Sequence, residues 1–347
     1  MPNTPLRLAA ALIIASIVIG ALYFASAVFE PVAFAFFFIA ISWPMQKALQ
    51  TRAPKTVALI ATVVVGLVIV FTLTSLIAWG GGQVAHWLTR NFDRLQGLYA
   101  ASAQWLEQHD IFLSTLISER FNVVWVLRLS QQVALRLNSL VGFSLLVFVF
   151  LALGLLEAEA FSKNLRTVGG EVTGSRLIAA GVEIGGKLRR YMLVRTWASL
   201  LTGLVVWGFS FLIGLELAAA WGVIAFALNY IPFIGPLVAT TLPALFALAQ
   251  TGSWELALIV LVTLAILQFL IGSYLEPLLA GKNLTISPFL VLFSVFFWGF
   301  IWGLPGTFIG VPIAIACLTL CEHFPESRWI AVLLSGKASN AKAEGEA

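Results

Sequence analysis

Long stretches without a charged side chain are the main feature of this sequence. The eight longest uncharged runs occupy residues 8–29, 31–46, 56–89, 137–156, 196–215, 217–254, 256–275 and 283–321. About 20 helical residues, each of which rises 1.5 Å, cross a hydrocarbon core roughly 30 Å thick. Most of these runs are therefore long enough to cross a membrane as α-helices.

The composition supports the same interpretation. Hydrophobic residues make up 60% and charged residues 10% of the 347 residues, and the mean hydropathy is +0.98. Soluble domains carry about 25% charged residues, so this chain has too few to cover a soluble globule. We therefore expect an all-α, polytopic membrane protein with about eight transmembrane helices.

The positions of the runs divide the chain into six parts. They are the N-terminal transmembrane helices 1–3 (1–89), an extracytoplasmic amphipathic helical segment (90–136), transmembrane helix 4 (137–156), a cytoplasmic segment (157–195), the C-terminal transmembrane helices 5–8 (196–323) and a cytoplasmic tail (324–347). Only Glu30 separates the first two runs, and Pro31 follows it directly, which predicts a tight hairpin at Glu30–Pro31. Leu88, Phe92 and Leu95 recur at helical spacing, which favours an amphipathic helix on the membrane surface.

Basic residues indicate the orientation of the chain. If each run crosses once, the 20 Lys and Arg residues divide 14 to 6 between the two faces. The larger group is Arg7, Lys47, Arg52, Lys55, Lys163, Arg166, Arg176, Lys187, Arg189, Arg190, Arg195, Arg328, Lys337 and Lys342. The positive-inside rule then places both termini in the cytoplasm. This role accounts for the excess positive charge without a nucleic-acid partner.

The residues that usually carry chemistry do not form a recognisable site. Cys317 and Cys321 are four positions apart within one apolar run, and the three histidines are scattered. Residues 181–187 match the first seven positions of a phosphate-binding loop, but Leu188 stands where magnesium binding requires Ser or Thr. We therefore expect no metal site, no cofactor and no enzymatic activity.

Two apolar runs near the C-terminus contain prolines deep inside them. Residues 229–236 (Asn-Tyr-Ile-Pro-Phe-Ile-Gly-Pro) lie near the middle of run 217–254, and run 283–321 contains Pro288, Pro305 and Pro312. Proline removes a backbone donor, and the carbonyls freed at membrane depth are tolerated only against protein or a water-filled cavity. We therefore expect the all-α, polytopic fold to have broken or re-entrant C-terminal segments. The glycines of run 283–321, which recur four residues apart, also fit ordinary helix packing.

The two broken runs also resemble each other. Trp221-Gly-Val-Ile precedes Phe233-Ile-Gly by twelve residues, and Trp298-Gly-Phe-Ile precedes Phe308-Ile-Gly by ten. Interrupted segments at corresponding positions of a repeat indicate the binding region of a transporter. Chance similarity in a chain rich in Phe, Ile and Gly explains the match equally well, so both interpretations stay open.

Four motifs in this half of the chain resemble those of a known family. Residues 229–236 resemble the hallmark of the AI-2E family of bacterial permease-like proteins. Residues 276–288 (Glu-Pro-Leu-Leu-Ala-Gly-Lys-Asn-Leu-Thr-Ile-Ser-Pro) are similar to that family's second signature, and residues 298–312 are similar to its third. Residues 186–191 fit the basic stretch before its fifth helix. Pro305 departs from the usual pattern, which leaves the local backbone there open.

The resemblance implies an integral protein of the bacterial inner membrane that forms a homo-oligomer and contacts membrane lipid. Members are associated with export of the signal autoinducer-2, and some with sodium or lithium/proton antiport. We therefore expect a secondary transporter for a small polar solute, such as autoinducer-2 or a related metabolite. Sodium (lithium)/proton antiport and a non-transporting membrane scaffold stay open as alternatives.

The broken runs and their flanks supply the residues expected along the substrate pathway. These residues are Asn229, Tyr230, Pro232, Gly235, Pro236, Glu276, Pro277, Gly281, Pro288, Trp298 and Gly303. Antiport needs a carboxylate at membrane depth, where ionisable groups are normally functional. Glu216 and Glu276 are the candidates for ion coupling, because each interrupts otherwise uncharged sequence.

The sharpest expectation concerns Glu276 and the turn that follows it. Pro277 favours an extended backbone at Glu276, and Gly281 suits a turn with positive φ. We expect segment 276–288 to be re-entrant or tightly turned and to pack against the break at 229–236, where the carboxylate acts as a gate. The alternative is an ordinary solvent-exposed loop with a glutamate at its edge.

Overall fold

The computed structural model describes residues 4–98, 100, 123–168, 170–280 and 286–334. Within these residues the backbone forms helices and no β-strand. The helices are α1 (Thr4–Phe24), α2 (Ser26–Gln50), α3 (Lys55–Arg90), α4 (Val123–Val168), α5 (Gly170–Leu212), α6 (Ala218–Leu228), α7 (Ile234–Thr251), α8 (Trp254–Leu270), α9 (Glu276–Ala280), α10 (Pro288–His323) and α11 (Arg328–Leu334). A further helical segment over 92–98 follows α3, and a π-helical turn, Ile271–Leu275, joins α8 to α9.

Seven helices in the described part of the chain are long and apolar enough to cross a membrane. They are Ser26–Gln50, Lys55–Arg90, Gly142–Val168, Val172–Leu212, Ile234–Thr251, Trp254–Leu279 and Pro288–His323. Large apolar side chains on these helices face outward: Phe71, Phe211 and Phe300 are 74%, 70% and 78% exposed. Lipid covers such side chains in a membrane, so the expected all-α, polytopic fold is confirmed. The first predicted run corresponds to α1, which has 21 residues.

The chain forms two compact units. Unit 1 comprises Met1–Val65, Phe143–Tyr191 and Lys282–Ala347, and unit 2 comprises Gly66–Gly142 and Met192–Gly281. Helices α3, α4 and α5 contribute residues to both units. At 1.5 Å per residue these helices are about 54, 69 and 64 Å long, well beyond a hydrocarbon core of roughly 30 Å, so each extends outside that core.

Aromatic side chains pack α2 against its neighbours in unit 1. Phe34 stacks on Phe308 of α10, with ring centroids 6.0 Å apart, and meets Phe143 of α4 edge to face at 5.2 Å. Between α2 and α3 the Thr62 hydroxyl donates to Gln46 Oε1 at 2.7 Å, and both residues are buried. These two polar side chains therefore satisfy each other where the two helices meet.

The first two helices do not meet where the sequence predicts. Glu30 and Pro31 lie inside α2, and the break between α1 and α2 is the single residue Ala25. The predicted hairpin at Glu30–Pro31 is therefore wrong. Glutamate is a good helix former, and a membrane helix tolerates an interior proline where neighbouring groups satisfy the freed carbonyl, so neither residue has to end the helix.

The predicted cytoplasmic segment 157–195 consists of the adjoining ends of α4 and α5. Gly170 has a φ of +72°, which glycine adopts without strain, at the start of α5. The two helices then run antiparallel in close contact, since a Cβ at Gly174 would lie 2.9 Å from the Arg166 Cα. This segment is thus a helical hairpin that continues two membrane-spanning helices.

Helix α10 folds back on itself at Gly303. This residue has φ +67° and ψ −143°, a conformation that is essentially confined to glycine. Across the fold, a Cβ added at Gly299 would lie 2.6 Å from the Thr307 side chain. Residues 288–302 and 304–323 therefore form two antiparallel arms, which at 1.5 Å per residue are about 22 and 30 Å long.

Both ends of this hairpin lie at the same end of unit 1. Further from the turn, a Cβ at Gly310 would lie 2.6 Å from the Ser294 carbonyl oxygen. At the base, the Ser287 N–H donates to the Leu334 carbonyl at 3.3 Å. The expectation that run 283–321 crosses the membrane once is therefore wrong, because a run of this length also accommodates two short arms. The alternative of a re-entrant segment is what the structure has.

Helices α6 and α7 form a second helical hairpin, which belongs to unit 2. Trp221 of α6 packs against Phe246 of α7, with ring centroids 5.0 Å apart. At the base of the hairpin the Glu216 N–H donates to Gln250 Oε1 at 2.8 Å. Run 217–254 thus returns to the end of unit 2 at which it started, and it too does not cross once.

The core of unit 2 is apolar and surrounds the base of this hairpin. Its buried members are Trp87, Leu95, Val206, Leu215, Trp221, Ala225, Ala239, Ala244, Phe246, Ala247, Val260 and Leu264. Leu95 belongs to the segment predicted to lie on the membrane surface, so at this position the apolar face packs on protein instead. Residues 101–122 and Gly281 lie outside the described part of the chain.

The fold predicts which side of the membrane each end of α10 faces. In a protein with Cys317 and Cys321 replaced by alanine, cysteines introduced at Ile286 and Glu326 should react with a membrane-impermeant maleimide from the same side. The reason is that the arms of α10 return to one end of unit 1. Labelling of right-side-out and inverted vesicles measures this.

Cysteines at Lys55 and Arg90, at the two ends of α3, serve as the control for that experiment. They should be labelled from opposite sides, because α3 is a continuous helix of 36 residues. Opposite-side labelling of the positions that flank α10 would contradict the hairpin.

Candidate functional site

The break between α6 and α7 is a tight turn over residues 229–233. The Ile234 N–H donates to the Pro232 carbonyl at 2.7 Å across Phe233, which has φ +62° and ψ −53°. This is a γ-turn of the rare, strained form, in which a non-glycine residue takes a positive φ. Such strain persists only where the surrounding packing enforces it.

The prolines mark this turn, but they do not both break the helix. Pro232 is buried within the turn. Pro236 is the third residue of α7, where N–H groups have no partner inside the helix anyway. The expectation that Pro236 interrupts the hydrogen-bond ladder is therefore wrong. Gly235 matters more, because a Cβ there would overlap the Leu228 carbonyl and push the second arm away from the first.

Two polar side chains of the turn rest on α5. Asn229 is buried, and its Nδ2 donates to the Ser199 hydroxyl at 3.2 Å. The Tyr230 hydroxyl donates to Thr196 Oγ1 at 3.1 Å. The turn that was predicted to line a pathway is therefore held by hydrogen bonds to a neighbouring helix.

Helix α5 presents a row of polar residues to the rest of unit 2. Arg195, Ser199 and Thr202 are spaced i, i+4 and i+7, so they lie on one face of the helix, which we call the polar stripe. Ser199 and Thr202 are fully buried. The partners of these three residues, in the same order, are Glu276, Asn229 and Gln268. An unpaired polar side chain at membrane depth destabilises the fold. The pairing of these three residues removes that penalty.

Arg195 of the stripe forms an ion pair with Glu276 of α9. Arg195 Nη1 donates to Glu276 Oε1 at 2.8 Å, and the two side chains are 11% and 22% exposed. Removal of either partner would leave the other charge uncompensated in a poorly solvated place. Glu276 and the turn at 229–233 thus meet the same stretch of α5, although the carboxylate pairs with arginine instead of with the turn. Its role as a gate stays a prediction.

A π-helical turn leads into Glu276. The Glu276 N–H donates to the Ile271 carbonyl, and Glu276 has φ −58° and ψ −47°. The backbone is therefore helical here, and the expectation of an extended residue before Pro277 is wrong. The wider π-helical turn moves the preceding carbonyls away from the proline ring, so that the helix continues. Turns of this kind are frequent at functional sites.

Three of the predicted pathway residues belong to unit 1, whereas the polar stripe belongs to unit 2. Pro288 is the first residue of α10 and is exposed, and Gly303 forms the turn of that hairpin. The Trp298 ring packs on the Trp302 ring, with centroids 4.6 Å apart. These residues shape the α10 hairpin, and their place on a pathway stays a prediction.

Glu216 lies at the base of the α6–α7 hairpin and not at its turn. Trp87 Nε1 donates to Glu216 Oε2 at 2.6 Å, which joins the hairpin base to α3. Glu276 instead pairs with Arg195 of the polar stripe. The structure therefore separates the two carboxylates that were predicted to couple an ion.

Two glycines let α6 pack closely on α5 beside the polar stripe. A Cβ at Gly203 would lie 2.9 Å from the Gly222 carbonyl oxygen, and one at Gly222 would lie 2.7 Å from the Trp207 Cβ. Gly203 directly follows Thr202 in the sequence. The glycine contact therefore sets how closely α6, and the turn that follows it, approaches the stripe.

Sequence reasoning missed most of the residues that receive the turn and Glu276. The missed residues are Arg195, Thr196, Ser199, Thr202 and Gln268. The spacing of Arg195, Ser199 and Thr202 was a usable signal, because three polar residues recur on one face at the start of an apolar run. Gln268 offered no such signal, since a single amide in an apolar helix reveals its partner only after packing.

Comparison with known proteins gives consistent matches. Residues 12–326 match the family model for the AI-2E family transporter. The AI-2 transport protein TqsA of Escherichia coli is 28% identical over 329 residues, which are 92% of each chain. A protein of Borreliella burgdorferi that is named as a transport protein is 33% identical over 57% of this chain and 56% of its own length. The chain therefore matches TqsA over nearly its whole length and the Borreliella protein over about half.

The glycine contact predicts a position-specific loss of stability. Gly203→Ala should lower the free energy of unfolding by about 1–3 kcal/mol, because the added methyl group overpacks a backbone contact. The measurement is thermal unfolding of the purified protein in detergent. Gly208→Ala is the matched control on the same helix, since a Cβ there meets nothing within 4 Å. Equal destabilisation by both substitutions would contradict the close packing of α5 on α6.

Proposed function

Because the chain belongs to the AI-2E transporter family, we propose that it is a secondary transporter that moves a small polar solute without ATP. The observation that carries the proposal is the contact of the α6–α7 turn with the polar stripe. A helical hairpin whose turn lies at membrane depth needs protein or a water-filled cavity around its backbone. Broken helices of this kind form the substrate sites of many secondary transporters.

The chemistry of the stripe favours a polar solute of low charge. Asn229, Ser199 and Thr202 supply amide and hydroxyl groups, which both donate and accept hydrogen bonds. The charges of Arg195 and Glu276 offset each other. Autoinducer-2 is the first solute to test, because the AI-2 transport protein TqsA aligns with 92% of this chain.

We also propose an inner-membrane location with both termini in the cytoplasm. At the end of unit 1 that carries the base of the α10 hairpin, Lys187 pairs with Glu183 at 2.8 Å and with Glu322 at 2.6 Å. The positive-inside rule favours the cytoplasmic side for this basic end. A homo-oligomer stays a prediction.

Removal of the hydrogen bonds under the turn should impair transport. Ser199→Ala and Asn229→Leu should each lower the initial rate of autoinducer-2 uptake into proteoliposomes by about threefold to tenfold, the loss expected from one buried hydrogen bond of about 1 kcal/mol. Thr241→Ala is the control, because that hydroxyl is exposed and bonds only within α7, to the Leu237 carbonyl.

Equal uptake by empty and protein-containing vesicles across a panel of solutes that includes autoinducer-2 would contradict the transport proposal, and a scaffold that does not transport predicts this outcome. Wild-type rates for both Ser199→Ala and Asn229→Leu would instead contradict the role of this hydrogen bond in transport.

Sodium (lithium)/proton antiport is a second candidate, and the position of Glu276 favours it. An exchanger needs a carboxylate at membrane depth that takes up a proton or a cation in turn, and Glu276 is a carboxylate that pairs with Arg195 of the polar stripe. Glu276→Gln should therefore abolish sodium-driven proton flux. Glu216→Gln is the matched control and should keep that flux, because Glu216 lies at the hairpin base. Absence of flux in the wild-type protein would reject antiport, and an unchanged flux in Glu276→Gln would reject this residue as the carrier.

A further inference from the structure

We propose that Gln268 contacts the transported solute. Gln268 and Thr202 would form a second hydrogen-bonding position for the solute, next to the Asn229–Ser199 contact. The proposal deepens the transport function proposed above and rests on it. It adds a residue of α8 to a site that the turn and α5 otherwise form. No motif in the sequence pointed to this residue.

Gln268 is an amide whose hydrogen bonding is incomplete. The residue is 8% exposed, the Thr202 hydroxyl donates to its Oε1 at 3.4 Å, and its Nε2 has no hydrogen-bond partner. An amide side chain has a donor end and an acceptor end, and the Thr202 hydroxyl reaches only one of them whichever way the amide is turned. One polar end of Gln268 therefore stays unpaired inside the protein.

This unpaired end lies at membrane depth. Gln268 stands 14 residues after Trp254, the first residue of α8, which at 1.5 Å per residue is about 21 Å along the helix. One turn earlier on the same face of this helix, Leu264 is apolar and fully buried. Water is scarce at such a position, so an unpaired amide group there destabilises the fold. Buried polar groups of this kind call for a partner that binds in another state, such as a solute or water.

The position of Gln268 relative to the turn indicates when a solute would reach it. Thr202 lies three residues after Ser199 on the polar stripe, so the two hydroxyls are neighbours on one helix face. Gly203, the next residue, is in contact with α6. The α6–α7 hairpin therefore lies over this part of α5. A solute that replaces Asn229 as the hydrogen-bond partner of Ser199 would next contact the unpaired end of the Gln268 amide.

The side chains of Gln268 and Thr202 are uncharged. The amide and the hydroxyl bind hydroxyl or carbonyl oxygens of a solute, and they do not compensate a full charge. The ion pair of Arg195 and Glu276 lies one helical turn away from Ser199, on the side opposite to Thr202 along the stripe. Gln268 thus selects for hydrogen-bonding groups and not for ions.

Replacement of Gln268 by leucine separates a role in binding from a role in folding. Gln268→Leu should raise the KM for autoinducer-2 in proteoliposomes by about threefold to tenfold, with a smaller change in kcat. The thermal midpoint in detergent should stay unchanged or rise, because the substitution removes an unpaired polar group. A lower midpoint with an unchanged KM would mean that the amide is structural, which would overturn the proposal.

Cysteine labelling tests the same inference without any assumption about the solute. In the cysteine-free protein, Gln268→Cys should react with a small, water-soluble methanethiosulfonate reagent, because the pathway opens to this residue during transport. Val260→Cys is the matched control on α8 and should stay unreactive, since Val260 is fully buried in the apolar core. Absence of labelling at position 268, or equal labelling at both positions, would overturn the proposal.

The two experiments also separate this inference from the proposed function. If Ser199→Ala and Asn229→Leu impair uptake while Gln268→Leu does not, the transport site stands and the role of Gln268 fails. If the wild-type protein carries no autoinducer-2, the proposed substrate fails, and the labelling contrast between positions 268 and 260 alone decides the role of Gln268.

Discussion

The need to satisfy every backbone N–H and carbonyl group at membrane depth governs this fold. A straight helix meets that need by itself, but a hairpin that turns inside the membrane does not. Within the described residues the chain turns in this way twice, at residues 229–233 and at Gly303. Each turn uses a residue with positive φ and a close helix approach that leaves no room for a Cβ, at Gly235 and at Gly299. The turns therefore depend on protein packed tightly around them.

The same constraint explains why polar side chains gather on α5. Polar and charged groups in an apolar helix need partners, and on α5 they find them on three other parts of unit 2. Arg195 pairs with Glu276. Ser199 is hydrogen-bonded to Asn229, and Thr202 is hydrogen-bonded to Gln268. These contacts tie the turn and the end of α8 to one helix face. The proposed solute site rests on these contacts, because a solute that offers the same hydrogen bonds would replace the protein partners.

The sequence was informative about where the chain breaks and less so about where it then goes. Uncharged runs located the helices, and prolines located the two broken segments, because both signals are local. The return of each segment to its starting side was not decided by the sequence, since a long run fits one kinked crossing or two short arms. The prediction that Pro236 interrupts a helix was wrong for a physical reason, because proline in the first turn of a helix removes no hydrogen bond. The partners of Asn229 and Glu276 depended on the packing of α5, which no motif encodes.

The contacts under the turn are weak enough to break during a transport cycle. Hydrogen bonds between neutral side chains help to hold the turn on α5, among them those from Asn229 to Ser199 and from Tyr230 to Thr196. At about 1 kcal/mol each, they alone would leave a few per cent of molecules with the turn released. The base of the hairpin is held differently, by Gln250 and by the short Trp87–Glu216 contact. Under the transport function proposed above, release at the turn with retention at the base would let the α6–α7 hairpin swing about its base, and a solute that binds the exposed stripe would shift the population toward the released state.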